Sequence, residues 1–138
     1  MIAPAPRPEI CVGAVVVAQD RILMVRRGRG PAQGEWSVPG GRVEAGETLA
    51  EAVVRELYEE TNLRGVCGDL VGWVERFGPD YHYVILDFHV VVLDDDPPRP
   101  GSDAVEATWV PLSAIGELRV VEGLVEFLAD HGIVELIA

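Results

Sequence analysis

Apolar residues fall along this chain in blocks of strand length, separated by turn-forming clusters. Residues 11–18 form a β-branched run, Gln19 and Asp20 a turn, and Arg21–Arg27 a second run, so the pair predicts a hairpin. Residues 28–34 hold three glycines and one proline and predict a loop. A short strand at 36–38 is stopped by Pro39-Gly40-Gly41, and 41–46 is again rich in turn residues. Then the period changes to that of a helix. Thr48 with Glu51 three residues on is a capping box. The segment Leu49–Thr61 is rich in Ala, Leu, Glu and Arg, and Asn62 suits the left-handed conformation that ends a helix. Ala50, Val54, Leu57 and Thr61 are expected on its buried face. Strands are predicted at 66–77 and 81–93 around the turn Gly78-Pro79-Asp80. A Pro/Asp/Gly loop at 94–102, a strand at 104–110, a short turn at 112–115 and a last helix at 122–130 complete the chain. There is no internal repeat. Strands on both sides of one helix, closed by a second, predict an α/β fold with a mixed sheet between helices.

The chain has 138 residues, the length of one domain, 1–138, with a Pro-rich lead at 1–8 expected to be loosely ordered. Such a chain buries roughly 68–70% of its unfolded surface. It is 49% hydrophobic and 25% charged, which excludes disorder. Eleven Lys and Arg against 23 Asp and Glu leave a net charge of -12, which argues against a duplex nucleic acid as partner. Two cysteines, Cys11 and Cys67, are too few for a disulfide framework or a zinc site and predict free thiols. The apolar run at 10–18 is too short to span a bilayer. Glu9 and the prolines at 4, 6 and 8 do not suit a signal peptide. A soluble, cytoplasmic protein without membrane contact is the expectation.

The predicted helix carries Glu56, Glu59 and Glu60 at i, i+3 and i+4, on one face. Neighbouring like charges cost a few tenths of a kcal/mol each in water. A hard divalent cation turns that cost into binding, since carboxylate oxygens suit Mg²⁺ or Mn²⁺. A solvated face, with Glu51–Arg55 and Arg55–Glu59 pairs, is the plainer alternative. The Gly40-Gly41 pair tips the balance, because it lets backbone approach a ligand closely and bring a carbonyl to the same metal. Arg55 can orient one of the acids.

Gly41, five residues, Glu47, seven residues, and then Arg55-Glu56-Leu57-Tyr58-Glu59-Glu60-Thr61-Asn62-Leu63 resemble the signature of the Nudix hydrolase family, G-x5-E-x7-R-E-U-x-E-E-x-G-U. The one departure is Asn62 for glycine, at the position where Asn is the next-best left-handed residue. The likeness extends to the Arg26-Arg27 strand end, to Trp36-Ser37-Val38-Pro39-Gly40 and to 107–112. It implies an α/β/α sandwich and Mg²⁺-dependent hydrolysis of a nucleoside diphosphate linked to another group. It implies Glu56, Glu59, Glu60 and the Gly40 carbonyl as metal ligands, with Glu47 a more distant ligand or the orienter of Arg55. The general base is left open between a helix glutamate such as Glu56 and a downstream carboxylate, Asp103 or Glu106, with Glu75 a weaker third. Arg26, Arg27 and Arg29 are candidates to hold phosphate. Gly41 belongs to the same substrate-facing stretch, and Trp36, Tyr81 and Tyr83 are candidates to stack on a base.

Pro79, sixteen residues after Leu63, resembles the pattern of ADP-ribose-cleaving relatives; Tyr81, eighteen after it, resembles that of dinucleoside polyphosphate hydrolases. ADP-ribose or a similar nucleotide sugar is favoured, with oxidised nucleoside triphosphates as the runner-up. A silent nucleotide-sensing module of the same fold is the alternative of another class, disfavoured because every box carboxylate is present. The expected partner is a nucleotide small molecule, and a homodimer is left open.

Overall fold

The computed structural model describes residues 4–30 and 32–135; residues 1–3 of the proline-rich lead, Pro31 of the glycine loop and 136–138 lie outside the described residues. Residues 4–7 have no regular structure. The strands are β1 (Pro8–Val15), β2 (Val17–Ala18), β3 (Arg21–Arg27), β4 (Trp36–Ser37) and β5 (Gly40–Arg42), then β6 (Gly65–Phe77), β7 (His82–Val92) and β8 (Ala104–Pro111). The helix α1 (Leu49–Thr61) lies between β5 and β6, and a 3-10 segment (Leu112–Glu117) and α2 (Leu124–Asp130) follow β8.

Two sheets of four strands each form the middle layer. One has the order β5-β1-β7-β6 and is mixed, since β1 runs parallel to β7 from Pro8 opposite His82 to Val15 opposite His89. In the other, β3 pairs β8 along its length and β2 and β4 at its two ends. Strands β1 and β3 are buried on both faces, which is why they read as unbroken apolar runs. Val12, Ala14, Val16 and Leu23 pack with Ala52, Val53 and Leu57 of α1. Val15, Ile22 and Met24 pack on the opposite side with Leu124, Phe127 and Leu128 of α2. The result is the expected α/β/α sandwich with one core on each side.

The capping box at Thr48 and Glu51 forms as predicted, and Asn62 ends α1 at φ 60°. Three expectations fail. Residues 40–42, predicted as part of a turn, form β5 against β1, because glycines at 40 and 41 let this strand lie close to its neighbour. A Cβ on Gly40 would strike the carbonyl of Val12. The buried face of α1 is Ala52, Val53, Leu57 and Thr61, while Ala50 is exposed and Val54 only half-buried. At about 100° per residue, Glu56 and Glu60 therefore fall inside the buried arc, not opposite it. The last helix starts at Leu124, two residues later than predicted, because Gly123 takes φ 85° at its N-cap.

Candidate active site

The turn into α1 and the strand β5 bring the signature residues together. Arg55 is the centre of the cluster. Its Nε donates to Glu47 Oε2 at 2.6 Å and its Nη2 to Glu47 Oε1 at 2.8 Å. Nη1 donates to Glu56 at 2.9 Å and to Glu59 at 3.1 Å, and Nη2 also reaches the Arg42 carbonyl at 3.0 Å. The guanidinium has five N–H groups and makes five hydrogen bonds. Its hydrogen bonds, with one from the Glu44 amide, hold the Glu47 carboxyl down at about 2. Glu47 is thus the partner that fixes Arg55.

Glu56 and Glu60 lie beneath the glycine strand. A Cβ on Gly41 would meet the Glu56 carboxyl at 2.6 Å, so only glycine leaves it room. The Gly40 amide donates to Glu60 Oε1 at 3.2 Å. Burial, and then the charge of Glu56, push Glu60 up to about 8, and burial raises Glu56 against the pull of Arg55. The two carboxyls are close enough that each shifts the titration of the other. Among the described residues no three acids, imidazoles or thiols converge on one point. Even so, two half-buried carboxyls side by side under a glycine strand are a hard-oxygen donor set. They fit a divalent cation in place of the proton that Glu60 retains.

These groups line one wall of a cavity of about 940 Å³. Arg27, Arg29, Tyr81, Tyr83 and Asp103 also line it, with Tyr81 stacked on Tyr83 at 4.8 Å between ring centroids. Arg29 is ion-paired with Asp103 at 2.6 Å. Arg26 and Glu106, opposite each other across β3 and β8, pair at 2.6 Å, and neither is part of the cavity wall. Trp36 is likewise not part of the wall: it packs against the α2-side core, its amide bonded to the Arg119 carbonyl. Its apolar bulk is spent on the fold and not on a base. Glu75 lines the cavity and is bonded to His82 at 2.8 Å. The 94–102 loop is not free to close over a substrate. Arg99 and Gly101 donate their amides to Thr61 and Glu60 at the end of α1, satisfying carbonyls the helix leaves open.

The cavity also contains Asp87, 4% exposed, which sequence reasoning missed. The signal was there, as an acid interrupting the apolar run of β7. Cys11 and Cys67 are free thiols, and burial pushes Cys11 up to about 11, so it is inert as a nucleophile.

The chain matches the family model of the NUDIX domain over residues 7–131, and it belongs to the Nudix family. It is 34% identical over 113 residues to an ADP-ribose pyrophosphatase of Methanocaldococcus jannaschii, covering 80% of this chain and 66% of that protein. It is 29% identical over 119 residues to the human 8-oxo-dGDP phosphatase NUDT18, covering 81% of this chain and 36% of that one. The chain thus spans under two thirds of either relative. The crystal structure of a MutT protein from Methanosarcina mazei superimposes with a TM-score of 0.81 at 26% identity, over 94% of this chain and 96% of that one. Among the described residues no helix is long and apolar enough to cross a membrane.

Proposed function

We propose that this protein is a Mg²⁺- or Mn²⁺-dependent hydrolase. It cleaves the pyrophosphate bond of a nucleoside diphosphate linked to another group, with ADP-ribose or a similar nucleotide sugar first. The observation that carries this is the half-buried pair Glu56 and Glu60, packed under Gly40-Gly41 in the wall of a cavity of nucleotide size. When bound, a divalent cation shields phosphate charge and lowers the pKa of the attacking water. Glu56, Glu59 and Glu60 are the residues that would hold it. Arg55 releases or retains Glu56 and Glu59 as ligands, since it now bonds both. Glu47 keeps Arg55 in place. Arg27, in the same wall, supplies charge for the phosphates. Asp103 is the candidate base. The M. jannaschii relative supports ADP-ribose, and the human relative supports an oxidised deoxynucleotide as second choice. The free thiols support a reducing, cytoplasmic setting.

A panel of ADP-ribose, other nucleotide sugars, 8-oxo-dGDP and nucleoside triphosphates, assayed with Mg²⁺ and with EDTA, tests the proposal. Metal-dependent release of nucleoside monophosphate from at least one diphosphate is expected. Absence of turnover on the whole panel at millimolar Mg²⁺ would leave a silent sensor in its place.

A further inference from the structure

Asp87 is the most deeply placed carboxylate in the cavity outside the Nudix signature. In register it stands between two glycines, Gly13 on β1 and Gly72 on β6. A Cβ at Gly13 would strike its Oδ1, and one at Gly72 would meet the His131 ring at 2.6 Å. The glycine at position 13 leaves the carboxyl its room, the one at 72 makes room for the His131 ring instead, and Asp87 lies on the cavity side with Ile85 and Tyr83, two and four residues back. Val38, Val74, Ile85, Leu124 and Phe127 give the same cavity an apolar wall, alongside polar residues such as Arg27 and Glu75. Among the described residues no hydrogen bond or ion pair reaches the Asp87 oxygens. Burial pushes Asp87 up to about 6.

What fills this space must be flat, apolar on its faces and a hydrogen-bond donor at one edge. An ionised carboxylate only accepts. Gly13 separates Asp87 from Gly40, with one strand on either side. Two strand spacings place it about 10 Å from the glycine strand over Glu60. A ribose and a base bridge a distance of that order. Ribose itself, polar all round, does not match apolar walls.

We infer that Asp87 reads the nucleobase of the substrate by accepting a hydrogen bond from its exocyclic amine, and so selects amine-bearing bases over their oxo counterparts. This rests on the nucleotide-hydrolase proposal above and deepens it. A carbonyl at the same edge would set two acceptors against each other in a buried site, which discriminates strongly.

The test compares ADP-ribose with its hypoxanthine counterpart, in the wild type and in Asp87→Asn, which can both donate and accept. The wild type should prefer the adenine substrate at least tenfold in kcat/KM. The variant should bring the ratio near one or reverse it. Its melting temperature, without ligand, should hold or rise, as an unpaired buried charge is removed. Asp87→Ser serves in the same way if the Asn variant does not fold. An unchanged base ratio in a folded variant overturns the inference, as does a variant that loses both substrates equally and melts lower. If no nucleotide is hydrolysed, it is the functional proposal that fails. Metal-free binding of AMP and IMP, followed by NMR, then decides Asp87. A preference for AMP that Asp87→Asn abolishes supports the inference, and equal affinities overturn it.

Discussion

Arg55 grips Glu47 with two parallel hydrogen bonds, 2.6 and 2.8 Å long, although eight positions separate them in the chain. A bidentate pair fixes the plane of the guanidinium as well as its position. With that plane fixed, the remaining donors can aim only at Glu56, Glu59 and the Arg42 carbonyl. Lysine has three donors and no fork, so Arg55→Lys cannot hold all of these acceptors. We expect it to fold, to lose at least tenfold in kcat and to weaken Mg²⁺ binding. The Glu47 carboxyl, now held at about 2 by Arg55, should rise toward the ordinary carboxylate range in this variant. An NMR titration of the Glu47 side chain reads this directly; an unmoved titration would show that the Glu44 amide, not Arg55, sets it.

Three acids are raised, Glu56, Glu60 and Asp87, and the last two by enough to give the metal-free protein an unusual pH response. Glu60 rises to about 8 from 4.5 and Asp87 to about 6 from 3.8. Between each pair of values the folded state holds a proton that the unfolded state has released. Stability therefore falls as pH rises through these windows. In EDTA the melting temperature should drop between about pH 4 and pH 8, with the Glu60 part confined above 4.5. On the proposed metal site, Mg²⁺ would compete with the proton on Glu60, so its stabilisation should grow with pH over the same range. Melting curves at several pH values, with and without metal, check both slopes.

Glu60→Gln separates folding from function. It removes a buried charge that repels Glu56 and keeps a side chain able to accept from the Gly40 amide. The metal-free variant should melt no lower than the wild type near pH 8. A ligand that binds only the folded state stabilises it by about 2.7 kcal/mol at a hundredfold excess over Kd. That Mg²⁺-dependent rise should disappear in the variant, and turnover should fall by orders of magnitude. Calorimetry with and without Mg²⁺ is sufficient. A full metal response in Glu60→Gln would remove this residue from the ligand set.

What could be read before the structure, and what could not, follows from the range of the interactions. The α1 boundaries came from Thr48, Glu51 and Asn62, all local signals, and α1 runs where they put it. The strand β3 was marked by turns at both ends. In contrast, β5 is three residues with two glycines, and it exists only because β1 lies beside it. The buried arc of α1 turns on the same long-range contact: nothing in the helix alone tells that a glycine strand will cover Glu56 and Glu60. Trp36 looked like a base platform because aromatic residues serve both cores and ligands, and only packing distinguishes them. Asp87 stood in plain sight, but the glycine that gives its carboxyl room, Gly13, lies on another strand.

The general base is where the chain offers a choice that geometry narrows. A base must reach the attacking water while the helix acids hold metal. Glu106 is set opposite Arg26 in the β3–β8 ladder, is bonded to it at 2.6 Å, and lies away from the cavity wall. Asp103 lines the cavity. Its backbone is anchored, since its carbonyl accepts from the Gly28 amide at 2.7 Å, and among the described residues its side chain is held by the exposed Arg29 alone. An exposed pair of this kind contributes about 0.2–1 kcal/mol, so releasing the carboxylate toward a water costs little. Asp103→Asn should therefore lower kcat at least tenfold with little change in Mg²⁺ affinity, and Glu106→Gln should leave kcat within a few-fold of wild type. Single-turnover rates for both variants across pH decide the matter, because loss of the base removes the limb of the profile that its ionisation sets. If Asp103→Asn keeps both its rate and its profile, the proton passes to a helix glutamate, and Asp103 serves only to hold Arg29 at the mouth of the cavity.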